Sequence, residues 1–148
     1  MMSTILKLSS ICAEQNPNPT DQRRRIIELL AAGADINAGD KNGVTALHHA
    51  VRFRTPSAVQ ALLEHGASVN QVCRKSGSTP LHRAVTSTGA PGTAGKRQEA
   101  IEIIKLLIAA GADVSITNKS GRKAADYVQD DAIKMLLKPS NAKDSGEA

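Results

Sequence analysis

The side chains most open to chemistry are two histidines in matching places. His48 stands in Thr45-Ala46-Leu47-His48-His49-Ala50 and His82 in Thr79-Pro80-Leu81-His82-Arg83-Ala84. As metal ligands they would have to meet within about 2 Å of one centre. The recurrence of the whole block instead puts them at equivalent positions of successive units, one helix–helix spacing of about 8–10 Å apart. They are read as loop anchors. Thr caps a helix by accepting from its free amides, and His, three residues on, returns a hydrogen bond to the loop as Glu does in a capping box. His49 and His65 lie on other faces without a clear partner.

The remaining candidates for chemistry are weaker. Residues 92–97 read GTAGKR, but a phosphate-binding loop of the form GxxxxGK[ST] needs Gly at Ala90 and Ser or Thr at Arg97, after a strand. GxGxxG fails as well, because Gly92 and Gly95 lack the earlier partner glycine. Cys12 and Cys73, the only cysteines, match neither a disulfide framework nor a zinc pattern. Asp126, Asp130 and Asp131 are read as solvated groups near the C-terminus, and no Ser–His–Asp or paired-carboxylate set stands out. The expectation is a non-enzyme with no cofactor and no metal.

What must position these residues is a repeated helical hairpin. Gly33, Gly66 and Gly111 each close an apolar run, in LLAAGADIN, LLEHGASVN and LIAAGADVS. Gly43, Gly77 and Gly121 each precede a helix start. A period of roughly 33 residues signals a stacked repeat array. Helices are expected over about 3–13, 22–32 with Thr20 or Asp21 as cap, from Thr45, over 56–65, from Thr79, and from Arg97. The glycines at the helix ends take the left-handed backbone without a Cβ penalty. Arg23, Arg24 and Arg25 begin the second helix, where cations oppose the helix dipole, so they are read as solvated surface. Residues 14–21 and 86–96 lengthen two helix–helix turns. The last unit has Lys123-Ala124-Ala125-Asp126 in place of the Thr-Pro-Leu-His block, losing cap and histidine, and is shortened as an end repeat.

On these blocks the chain resembles the ankyrin repeat family. TPLHRA matches the helix-opening signature fully, TALHHA nearly, and LLEHGASVN and LLAAGADIN match the closing signature over about residues 22–137. The resemblance implies an all-α, ankyrin-like solenoid of helix-turn-helix repeats with short β-hairpin fingers. The expected domain covers 1–138 in about four repeats: an N-terminal cap at 3–37, then 38–70, 71–115, and a C-terminal cap at 116–138. A disordered tail is expected at 139–148. The family's concave face, made of finger tips and outward positions of the first helices, falls here on Lys41, Asn42, Val44, Arg74, Lys75, Ser78, Lys119 and Arg122 for the tips. The helices supply Arg52, Phe53, Thr86 and Ser87. The recognition set expected from these is Lys41, Asn42, Val44, Arg52, Phe53, Arg74, Lys75 and Arg122.

Composition agrees with that reading. In 148 residues Phe and Tyr occur once each and Trp never, so the core is built from Ala, Leu, Ile and Val, which suit thin, closely packed helices. No apolar run reaches the roughly 18 residues of a membrane span. The N-terminus is a poor signal peptide, and Ile11 occupies the place a lipoprotein site at Cys12 would give to a small residue. A reduced, cytoplasmic, monomeric chain is expected. The formal charge of +5 favours acidic partners. The expected function is protein–protein interaction through the concave face, with an acidic surface or peptide as partner. The alternative is a basic scaffold touching nucleic-acid phosphates, without aromatic stacking.

Overall fold

The computed structural model describes residues 2–14, 18–86, 95–128 and 130–138. The tail at 139–148 and residues 87–94 of the expected insertion, Ser87 among them, lie outside the described residues.

The elements are α1 (Met2–Cys12), α2 (Pro19–Ala31), α3 (Ala46–Arg52), α4 (Pro56–Glu64), α5 (Pro80–Val85), α6 (Arg97–Ala109), a 3-10 turn at Ala124–Tyr127, and α7 (Asp131–Leu136). They form two layers. In the inner layer α1 packs on α3, α3 on α5, and α5 on the 3-10 turn. In the outer layer α2 packs on α4, α4 on α6, and α6 on α7, while α1–α2, α3–α4 and α5–α6 are the hairpins joining the layers. Between the layers Ile26, Leu47, Val51, Val59, Leu62, Leu81, Ile103, Ile104 and Leu107 are buried, with Ala46, Ala50, Ala58, Ala61 and Ala84 filling the close approaches. Small residues at these crossings let the helix axes approach, which is how the fold builds a core without aromatic filling.

Two expectations about α2 are corrected. Its cap is Asn18, whose side chain accepts from the Asp21 amide at 2.9 Å, and Pro19 opens the helix. Proline's fixed φ suits the first turn, where its missing N–H goes unused, so a stretch read as loop is helical. The arginines therefore fall in the second turn and are not loose solvated groups. Arg23 pairs with Glu64 of α4, Arg24 with Asp21 and Glu28, and Arg25 with Glu14 and Asp21.

The fingers are also corrected in kind. Among the described residues they contain no strand; each is a tight turn closed on itself. Asp40 N–H donates to Val44 O at 3.0 Å, Cys73 N–H to Ser78 O at 3.1 Å, and Asn118 N–H to Arg122 O at 2.9 Å. One backbone bond joins each turn to the next: Arg74 N–H to Asn42 O at 2.7 Å, and Lys119 N–H to Ser76 O at 2.9 Å. A single bond per junction is too little for a ladder. At the repeat ends, asparagines continue the linkage: Asn37 Oδ1 accepts from the Ser68 amide at 2.7 Å and Asn70 Oδ1 from the Asp113 amide at 2.8 Å.

Candidate interaction surface

The repeated Thr–His block builds the floor of the finger side. Thr45 caps α3 and Thr79 caps α5, each in a capping box closed by the histidine three residues on. His48 Nδ1 accepts from the Thr45 amide at 3.1 Å, and His82 Nδ1 from the Thr79 amide at 3.2 Å. With Nδ1 an acceptor, the proton of the neutral ring sits on Nε2. His48 Nε2 donates to Ser78 O at 3.2 Å and His82 Nε2 to Arg122 O at 2.9 Å, each in the next finger. The histidines are thus inter-repeat bridges as well as loop anchors, a second role that only the stacking of repeats makes visible. Burial, aided by the charge of Arg83, pushes His48 down to about 4, which keeps it neutral in this bridge. Among the described residues no group of His, Cys, Asp and Glu could hold a metal.

The last repeat replaces this device. Lys123 N–H donates to Asp126 Oδ2 at 2.8 Å, so the carboxylate does what His does elsewhere. Asp130 caps α7 through the Ala132 and Ile133 amides and pairs with Arg97 at 2.5 Å. These two aspartates have partners in place of the expected solvation; Asp131, in the first turn of α7, is exposed.

Arg54 was missed by sequence reasoning. It ends α3 with φ 58°, a place that usually goes to Gly, and it is only 8 % exposed. Its guanidinium donates to Val51 O at 2.8 Å, Arg83 O at 3.0 Å and Thr86 O at 2.8 Å. These carbonyls lie at the C-terminal ends of α3 and α5, where the helix dipole favours a cation. Nothing in the run Arg52-Phe53-Arg54-Thr55 distinguishes this arginine from Arg52; only the geometry does.

The expected recognition residues separate into two groups. Lys41, Asn42, Arg74, Lys75 and Arg122 are exposed on the finger turns. Asn42 also lends its carbonyl to the Arg74 amide, and Arg122 lies over the Tyr127 ring at 5.5 Å. Val44 is half-buried within its turn, which the Asp40 carboxylate closes by accepting from the Asn42 amide at 2.8 Å and the Val44 amide at 3.1 Å. Burial raises that carboxyl, but the two amides outweigh it and hold Asp40 below the usual range. Arg52 and Phe53 are half-buried at the far end of α3, with the guanidinium 5.7 Å from the ring centroid. A seven-residue helix, about 10 Å long, lies between them and the fingers. Between the groups His49 and Arg83 face the same side, near enough to Asp40 for their charges to act on it. Arg83 also reaches Cys73 Sγ at 4.0 Å.

The geometry defines a class: a stack of helical hairpins joined by turn-to-turn bonds and bridging histidines, with a cationic finger side. The family described as "Ankyrin repeats (3 copies)" matches residues 11–118, and the chain belongs to the ankyrin repeat family. It is 34% identical over 103 residues to human BCL-6 corepressor-like protein 1, covering 70% of this chain and 5% of that protein. To the Neurogenic locus Notch protein of Drosophila melanogaster it is 44% identical over 77 residues, covering 50% of this chain and 3% of that one. The chain thus spans a small fraction of these relatives. The crystal structure of the ankyrin repeat domain of Bcl-3, described as a unique member of the IkappaB protein family, superposes with a TM-score of 0.65 at 32% identity, over 80% of this chain and 47% of that one. Ankyrin repeats are protein–protein interaction modules, and among the described residues no helix is long and apolar enough to cross a membrane.

Proposed function

We propose that this stack binds a partner protein through the side formed by its fingers and inner helices, and that the partner surface is acidic. The observation that carries the reading is the division of the arginines. Those of the outer layer, Arg23, Arg24, Arg25 and Arg97, all pair with carboxylates. Among the described residues Arg52, Arg74 and Arg122, on the finger side, pair with none. Unpaired cations grouped on one side steer an acidic partner and fix its register. Phe53 beside Arg52 adds an aromatic contact of the kind that anchors interfaces. A monomeric chain in the cytoplasm, acting as an adaptor without catalysis, is part of the same reading; the two cysteines are free and buried.

The test is affinity capture from the protein's source lysate, comparing the natural chain with a variant carrying Arg52→Glu, Arg74→Glu, Lys75→Glu and Phe53→Ala. Capture of the partner should be lost while the helical circular dichroism stays unchanged. Equal capture by both chains would remove the finger side from the interface.

A further inference from the structure

The three finger turns are in register, and the register places a cation at the same point of each. Asp40, Cys73 and Asn118 open the turns, as their backbone closures show, so Lys41, Arg74 and Lys119 are equivalent. The bonds between turns agree: Arg74 N–H meets Asn42 O, and Lys119 N–H meets Ser76 O. All three cations are exposed, and among the described residues none pairs with a carboxylate. Their alignment rests on glycines. A Cβ on Gly43 would stand 3.2 Å from the Arg74 nitrogen and 3.4 Å from its Cγ. One on Gly77 would stand 3.1 Å from both the nitrogen and Cγ of Lys119. The stems of Arg74 and Lys119 therefore lie over the glycine of the preceding finger, and Arg74 Nη1 donates to Lys41 O at 3.3 Å. Gly121, in the last described finger, has nothing within 4 Å.

Resting on the acidic-partner reading above, we propose that Lys41, Arg74 and Lys119 form a ladder for an extended acidic segment carrying a carboxylate at every third residue. Successive rungs are one repeat apart, about 8–10 Å for packed helices. A polyproline II chain has three residues per turn and rises about 3.1 Å per residue, which puts every third side chain on one face roughly 9 Å apart. A β-strand of similar pitch turns every third side chain to the opposite face, and its same-face spacing of about 6.6 Å falls short of the rungs. Nucleic acid fits less well. Its phosphates recur about every 3.4 Å of duplex axis on each strand, much denser than the ladder, and the one tyrosine ring, Tyr127, is held by the Asn118 side-chain amide at 2.8 Å and covered by Arg122.

The experiment is an NMR titration of the full chain, following the amides of Gly43, Gly77 and Gly121. Three nine-residue peptides of identical composition, with Pro and Ala between three Glu, place the carboxylates at every third residue, at every second residue, or contiguously. The every-third peptide should bind about fivefold more tightly than either isomer, the effect of one exposed ion pair. Arg74→Gln should erase that preference, as should Lys41→Gln with Lys119→Gln, with circular dichroism unchanged. Equal affinity for the three peptides, or indifference to those variants, would overturn the ladder while leaving the acidic-partner reading intact. Binding by none of them would remove both. Tighter, Arg74-dependent binding of a duplex DNA would reassign the ladder to phosphate and overturn the proposal.

Discussion

The two sides of the stack are joined to their neighbours by different chemistry. On the outer side, α2, α4, α6 and α7 pack mainly through aliphatic side chains, with a partly buried polar link from Ser57 of α4 to Gln22 of α2, and add exposed ion pairs at the rim. On the finger side the repeats are joined by buried polar bridges: His48 to Ser78, His82 to Arg122, and Arg54 to Arg83 and Thr86. The contrast separates two uses of polar residues in one molecule. Where such groups are buried, every hydrogen bond is directional and its loss leaves an unpaired group in low dielectric. Where they are exposed, water replaces the partner with little penalty. The exposed cations of the finger side thus add little to the stack, even Arg74 with its exposed bond to Lys41 O at 3.3 Å, which leaves them available for a partner.

The largest effect should come from a bridge. His48→Ala removes the capping box and the contact to the next finger, and should lower stability by about 3 kcal/mol in a urea titration. A loss as small as a surface substitution gives would show that the finger side is held by packing alone. The same bridge sets a pH dependence. Burial holds His48 at about 4 when folded, against the ordinary histidine value of 6.5. The unfolded chain therefore takes up the proton first as pH falls. The contribution is fully present above pH 6.5 and is lost progressively down to pH 4, by about 3 kcal/mol in total. Urea midpoints across that window should fall in the natural chain and fall much less in His48→Ala.

Arg54 sharpens the comparison further, because it combines a costly backbone with a rewarded side chain. Arg54→Ala should cost about 2–3 kcal/mol, from loss of charge-assisted bonds to three carbonyls. Arg54→Gly loses the same bonds but relaxes the left-handed backbone, and should be about 1 kcal/mol more stable than Arg54→Ala. Equal stability of the two variants would mean that φ 58° carries no strain. The smallest effect belongs to the outer rim. Arg23→Gln or Glu64→Gln breaks an exposed pair and should leave the urea midpoint unchanged within error.

Much of the fold was legible because the repeat states its own register. The glycine spacing, the Thr–x–x–His caps and the closing LLEHGASVN pattern each have a local cause, and each recurs. The miss at α2 has a local cause too: Pro17 and Pro19 read together as a loop, whereas a proline in the first position of a helix is compatible with it. The candidate surface was legible in part. Finger positions follow from the register, so Lys41, Arg74 and Arg122 could be named, and Lys119 stood among the tips without being chosen. Their alignment across fingers could not be seen, because the 73–78 turn is longer than the 40–44 and 118–122 turns, which hides which positions correspond until the backbone bonds are known. Arg54 has no sequence signal at all, whereas the register already places Phe53 on the helix and not on the fingers.

By itself the sequence determined the unit: a short helix opened by Thr and His, a second apolar helix, a glycine stop and a polar turn. Those features depend on backbone propensity and capping within a few residues, which is information a linear chain carries. Only the tertiary structure decided what the unit's polar groups do. His48 and His82 became bridges, and Arg54 a buried clasp between helix ends, because stacking brought carbonyls 29 to 40 residues away within hydrogen-bond reach. The same stacking set Lys41, Arg74 and Lys119 in one row, since backbone bonds fix the register of the turns and the stems of Arg74 and Lys119 rest on the glycine of the finger before.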